Sequence, residues 1–347
     1  MKKLIILLLT LVLLTACGSG EKKEVLHIFN WGAYIDESTI TTFEKEYNVK
    51  VNYSRFASNE EMYHKITNTG GFDVVIPSDY TVQRLREEGL LQEIDYTKLS
   101  NYGNVLDSLK GRKMDPEDKY SVPYFWGNVG LVYNKENVSI SDLDAKGWDI
   151  LNDTRYKGSI YFYNSERDAF MIALKTLGYS MNSSDPKELQ EANDWLIAMK
   201  SLTAPTYATD EAIDRMVAGE KDIAVMYSGD ANYIISENED MDFYVPKQGT
   251  NTWLDSMVIP TTANNPDLAH KWIDFTLRPE IALLNTEEVG YTSPIQSVID
   301  EITGPGGTYE GMESYIPRTG YELDEEFIFD QKLKEQMNQY WEKIIAQ

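Results

Sequence analysis

Trp253 and Asp255 stand two residues apart in a strand-like stretch, Trp253-Leu254-Asp255-Ser256-Met257, so both side chains leave the same face. An acid on a face shared with an indole is seldom buried without a partner, which makes the pair a candidate for holding a ligand. Few other residues suggest chemistry. His27, His64 and His270 lie far apart with no metal-ligand spacing, so no metal is expected and a zinc carrier is disfavoured. No Tyr-Tyr dipeptide, a pairing that suits a ferric ion, occurs. There is no Gly-x-Ser-x-Gly elbow, no His-Glu-x-x-His and no phosphate-binding P-loop. Gly304-Pro305-Gly306-Gly307 lacks a preceding strand and a following helix, so it reads as a loop. The expectation is a protein that binds without catalysing, and without a cofactor.

Composition narrows the partners. The 347 residues carry 32 Lys plus Arg against 56 Asp plus Glu, a formal charge of −24. That excludes a general nucleic-acid binder, which needs clustered cations. Apolar residues make up 42% and aromatics 12%, enough for packed cores, so an acidic disordered chain is excluded too. Tyrosine dominates the aromatics, with 23 against 11 Phe and 7 Trp. The length predicts roughly two domains.

The N-terminus reads as an address. Lys2-Lys3 precede an apolar run from Leu4 to Leu14 that is shorter than the about 20 residues a membrane-spanning helix needs. The run ends in Leu14-Thr15-Ala16-Cys17, which looks like a bacterial lipobox, where the thiol is acylated and the preceding peptide bond cut. Residues 1–16 are therefore expected to be a lipoprotein signal peptide, and 17–24 a lipidated tether. Cys17 is the only cysteine, so no disulfide is expected. Loss of Lys2 and Lys3 takes the charge from −24 to −26. The expected location is the outer side of the cytoplasmic membrane, held by lipid.

Beyond the tether, strand and helix patterns alternate. Val25 to Asn30 reads as a buried strand, Asp36 to Tyr47 as a helix, and Val49 to Phe56 as a strand. Ser58 to Thr67 reads as a helix with Asn59 as its cap, and Phe72 to Ile76 as a strand stopped by Pro77. This predicts an open α/β sheet with ligands at the carboxyl ends of its strands, where the loops at Trp31 and Ser78 lie. Tyr124 to Asn134, a strand interrupted by Gly127 and Gly130, suits a crossing between lobes, and Tyr244 to Thr252 a return. Helices are expected near Arg167 to Leu177, Pro186 to Met199, Ala269 to Leu277, Pro279 to Thr286 and Glu326 to Ile345, with a strand at Asp222 to Tyr227. Asp324-Glu325-Glu326 reads as the solvated start of the last helix, and Asp79 as a cap or turn residue.

Five segments together carry a resemblance: Phe29-Asn30-Trp31-Gly32-Ala33-Tyr34, Ser58-Asn59-Glu60-Glu61-Met62-Tyr63, Asp73-Val74-Val75-Ile76-Pro77-Ser78-Asp79-Tyr80, Trp253-Leu254-Asp255-Ser256-Met257 and Gly290-Tyr291-Thr292-Ser293-Pro294. In order and spacing they resemble the spermidine/putrescine-binding proteins of bacterial polyamine ABC importers, from about Val25 to the C-terminus. The resemblance implies a two-lobed type II periplasmic-binding-protein fold, each lobe a mostly parallel sheet flanked by helices, with the ligand cleft between lobes. The division expected is 25–128 with 253–300 for one lobe and 129–252 with 301–347 for the other. It also implies a polyamine ligand (spermidine, putrescine or both), delivery to ABC permease subunits with a cytoplasmic ATPase, and a monomer.

By the same matching, the cleft is lined by Trp31, Tyr34, Ser78, Tyr80, Asp168, Tyr227, Trp253, Asp255 and Tyr291. The chemistry suits a string of ammonium groups joined by methylenes. Asp168 and Asp255 offer charge-assisted hydrogen bonds, the rings pack on methylenes and face cations, and the Ser78 hydroxyl accepts from an amine. Taken without the resemblance, Asp168 reads rather as an acid at a helix start. The chain departs from the family at Ala33 and Ser165, where an acid is frequent, and at Tyr227, where a Trp is frequent; Glu166 and Asp79 are possible substitutes. Fewer carboxylates make a diamine a competitor of a triamine. The alternatives are a lipid-anchored sensor or adhesin on the same fold, or a carrier of another small cationic or amino-acid-like solute.

Overall fold

A computed structural model describes residues 23–346. The expected signal peptide, Cys17 and most of the tether lie outside the described residues. The chain runs β1 (Val25–Trp31), α1 (Glu37–Tyr47), β2 (Lys50–Phe56), α2 (Asn59–Asn68), β3 (Val74–Val75) and α3 (Asp79–Glu87), then a long irregular stretch to β4 (Ser121–Asn134). It continues through α4 (Ile140–Lys146), β5 (Ile160–Tyr163), α5 (Glu166–Thr176), α6 (Pro186–Thr203), β6 (Thr206–Ala208), α7 (Glu211–Val217), β7 (Ile223–Tyr227), α8 (Ser228–Glu237) and β8 (Met241–Tyr244). It ends with β9 (Thr252–Val258), α9 (Pro266–Thr276), α10 (Pro279–Val289), α11 (Gln296–Thr303) and α12 (Gln331–Ala346).

β1, β2 and β3 pair in parallel, as strands joined by helical crossovers do. The strands follow the order β2-β1-β3-β9-β4-β7-β5-β6, with β8 also on β4. β4 belongs to two lobes: its residues from Ser121 to Asn128 pair with β9, and those from Val129 to Tyr133 with β7. Rich in Val, Tyr, Phe and Trp, it is buried along nearly its whole length. The return is made by residues 245–251, which lead from β8 to β9. The first lobe buries Phe43, Trp272 and Phe275 under α1 and α9, and the second packs α5, α6 and α12 around Phe170, Leu174 and Trp341.

Two local expectations are corrected. Ser58, not Asn59, caps α2, its hydroxyl accepting from the Glu61 N–H at 3.1 Å. Asn59 is thereby free to turn its amide toward Ser78 and Tyr80. The last helix begins at Gln331 rather than Glu326, and Asp324-Glu325-Glu326 is not a solvated helix start. Each of those acids meets a base instead: Asp324 meets Arg318, Glu325 meets the buried Lys175, and Glu326 meets Arg112. These bonds hold the chain irregular until Asp330, which accepts from the Leu333 N–H at 2.9 Å and starts the helix.

Candidate functional site

The residues at strand ends and helix starts converge where the lobes face each other. Asp255 lies on β9 inside the first lobe, where burial leaves it 6% exposed. Its Oδ2 accepts from the Tyr34 hydroxyl at 2.7 Å, and its backbone bridges to Ser78 just before α3. The Tyr34 ring meets Tyr291 edge-on, centroids 5.5 Å apart, and Tyr291 meets Trp253 at 5.1 Å and 90°. Trp253 reaches across to Tyr227 at the end of β7, 6.0 Å away and again nearly perpendicular. Tyr227 in turn donates to Asp168 Oδ2 at 3.0 Å. Asp168 sits in the first turn of α5, where Ser165 accepts from its N–H at 3.3 Å and caps the helix. Tyr34, Asp168, Tyr227, Trp253, Asp255 and Tyr291 thus form one continuous series of contacts between the lobes.

Three expected members border this series. Trp31 packs on Phe56, centroids 4.6 Å apart, and its indole N–H is buried without a partner among the described residues. Ser78 accepts from the Asn59 amide at 3.2 Å, and its own hydroxyl faces the Asp255 carboxyl, which it helps to keep ionised. The Tyr80 hydroxyl accepts from the same amide at 2.8 Å, while its ring carries the guanidinium of Arg167.

Asp230 is a third acid of the cleft that the sequence reading missed. It lies in the first turn of α8 and accepts from the Tyr291 hydroxyl at 2.9 Å. Tyr163 was missed as well: its ring is 5.0 Å from Tyr227, and its hydroxyl donates to Asp210 at 3.4 Å. One signal was available, because Tyr227-Ser228-Gly229-Asp230 follows a strand and opens a helix, just as Ser78-Asp79-Tyr80 does. Asp79 itself is buried, and its Oδ1 accepts only from the adjacent Tyr80 N–H, at 2.6 Å.

No Lys or Arg is bonded to Asp168, Asp230 or Asp255 among the described residues; their partners are hydroxyls. Burial accordingly pushes Asp255 up to about 6 despite the Tyr34 bond, and Asp230 up to about 7, with Asp210 adding to the rise. Asp168 is raised for the same reason, against the bonds from Ser165 and Tyr227, and its Oδ1 is buried without a partner. Carboxylates walled by rings and lacking a cation of their own form a receptor for a cation supplied from outside.

A family model described as a bacterial extracellular solute-binding protein matches residues 38–306. The spermidine/putrescine-binding periplasmic protein of Escherichia coli is 34% identical over 282 residues, 80% of each chain. The solved structure of the spermidine/putrescine ABC transporter substrate-binding protein PotD from Streptococcus pneumoniae superposes with a TM-score of 0.80 at 35% identity, covering 93% of this chain and 99% of that one. The Tp0655 (TpPotD) lipoprotein of Treponema pallidum superposes with a TM-score of 0.79 at 27% identity, covering 92% and 99%. Among the described residues no helix is long and apolar enough to cross a membrane.

Proposed function

The chain belongs to the bacterial extracellular solute-binding proteins, and from that premise we propose that it captures a polyamine outside the cell and hands it to an ABC permease. The observation that carries this reading is the set of three cleft acids whose bonded partners are hydroxyls rather than bases. A protonated amine satisfies each of them, and the rings of Tyr34, Tyr227, Trp253 and Tyr291 cover the methylenes between. Asp255 takes one ammonium from the first lobe; Asp168 and Asp230 take another from the second. Trp31, Ser78 and Tyr80 close the margin. No bond is made or broken, and the protein is a carrier rather than an enzyme.

The lobes divide at 25–128 with 253–300 and 129–252 with 301–347, and close about residues 127–134 and 244–252. Cys17 anchors the body through lipid after removal of residues 1–16, which is supported by the likeness to a Treponema lipoprotein. It works as a monomer beside its permease and ATPase.

Calorimetry on the soluble body from Glu21 tests the reading, with putrescine, cadaverine, spermidine and a panel of amino acids and sugars. Tight binding of an amine with no response to the panel is the expected result. Binding confined to amino acids or sugars would overturn it.

A further inference from the structure

The second lobe brings a cation of its own to the margin of the cleft. Arg167 sits on α5, next to Asp168, and is 9% exposed. No carboxylate is bonded to it among the described residues. Its guanidinium carbon lies 3.9 Å above the centroid of the Tyr80 ring and 5.9 Å from that of Phe327. A desolvated guanidinium stacked on an aromatic face is held by the ring quadrupole and by dispersion.

Tyr80 is itself braced. Asn59 holds its hydroxyl, and Phe327 meets its ring edge-on at 6.3 Å and 89°. α3, which carries Tyr80, packs on β9 in the first lobe, whereas α5, which carries Arg167, packs on α6 in the second. The stack therefore exists only while the lobes are together. Other contacts join the lobes along the same margin: Lys334 to Glu60, and the Phe329 N–H to Gln83 at 2.8 Å. Only Glu60 among these side chains is exposed, which weakens its ion pair, and the partly buried Arg112–Glu326 pair also joins the lobes, so the stack is one of several contacts across this margin.

We propose that Arg167 is a positioning residue that latches the closed cleft by stacking on Tyr80, so that the Tyr80 ring receives the protein's own cation rather than an ammonium of the ligand. Because Arg167 and Asp168 are consecutive on one helix, the latch also sets where Asp168 stands when the cleft shuts. The inference rests on the lobes closing about the cleft. It does not depend on which solute is bound.

The test compares Arg167→Met, Tyr80→Leu, Tyr80→Phe and the double variant R167M/Y80L with the wild type. Without ligand, small-angle scattering should show R167M and Y80L shifted to a larger radius of gyration, with Y80F unchanged because the ring is kept. Melting temperature and circular dichroism of each variant confirm that it is folded. With putrescine in stopped flow, R167M and Y80L should each speed dissociation about tenfold, with association within about twofold. The double variant should be no worse than either single one, as for two halves of one contact. Additive losses, an unchanged dissociation rate, or a radius of gyration equal to wild type in a folded R167M would overturn the latch. If the wild type binds no polyamine, the proposed function fails and the scattering still decides the latch.

Discussion

Tyr34 gives its hydroxyl hydrogen to Asp255 across 2.7 Å, and both side chains are buried in the first lobe. The bond is the largest counterweight to the burial that raises Asp255, so it helps keep a ligand-ready carboxylate near neutral pH. Replacing Tyr34 with Phe keeps the ring that meets Tyr291 and removes only the donor. The expected loss of putrescine affinity is about 1 kcal/mol, roughly fivefold. Asp255→Asn removes the charge proposed to meet the ammonium and should cost about 3 kcal/mol, on the order of 100-fold. Asp79→Asn should change affinity by less than about twofold, because burial raises Asp79 well above the usual carboxylate range and an amide resembles the neutral acid. Calorimetry on the three variants checks the order, and equal effects for Asp255 and Asp79 would refute the assignment.

Acid should release the ligand. Asp255 near 6 and Asp230 near 7 must both be ionised to meet ammonium groups, so affinity should rise from about pH 5.5 to about pH 7.5 by roughly 10- to 100-fold. Stability of the unliganded protein should run the other way. An acid whose folded value is raised adds stability below its unfolded value near 4, and that stability is lost as the pH climbs through the folded value. Acids lowered by partners, such as Glu44 beside Lys50 and Glu325 beside Lys175, have finished titrating below this window. Melting temperature without ligand should therefore fall between about pH 5 and about pH 8, while the increment from saturating putrescine grows. A ligand increment that is flat across this range would show that these acids do not bind the amine.

The alternation of strands and helices was readable because each segment carries its own period, and the edge holding the site followed from it. Trp253 and Asp255 were readable for the same reason, since two residues along a strand share a face. Asp230 was not, because what places it in the cleft is its bond with Tyr291, 61 residues away, and no local pattern records that bond. Asn59 reads as a cap in sequence, since Asn and Ser compete for that place; only the fold shows Ser58 taking it. Arg167 looked like part of a charged helix start, and its ring partner lies on another lobe. What escaped was in each case a pairing between segments far apart in the chain.

Gly229 lies in the first turn of α8, where alanine would ordinarily strengthen the helix by up to about 1 kcal/mol. Here a Cβ would sit 2.0 Å from Tyr291 Cδ1 and 2.3 Å from Cε1. Gly229→Ala must therefore push Tyr291 out of its contacts with Trp253 and Asp230. The expected outcome is a loss of about 1–3 kcal/mol of stability and at least about tenfold in putrescine affinity. Thermal melts and calorimetry test it, and a more stable variant with unchanged affinity would show that the ring is not held where the site needs it.

Asp230 separates the two titrations. It is the acid pushed up to about 7, whereas Asp255 stops near 6, so Asp230 contributes to the upper part of the binding profile and Asp255 does not. Asp230→Asn keeps an acceptor for the Tyr291 hydroxyl and removes the charge. Putrescine affinity at about pH 7.5 should fall on the order of tenfold, because one ammonium loses a counter-charge in a desolvated site. The remaining pH dependence should then come from Asp255, near 6, and from Asp168, which burial also raises, and its rise around pH 7 should be smaller than in the wild type. Retention of the wild-type profile in a folded D230N protein would mean that the second ammonium is met by Asp168 alone and that Asp230 serves only to hold Tyr291.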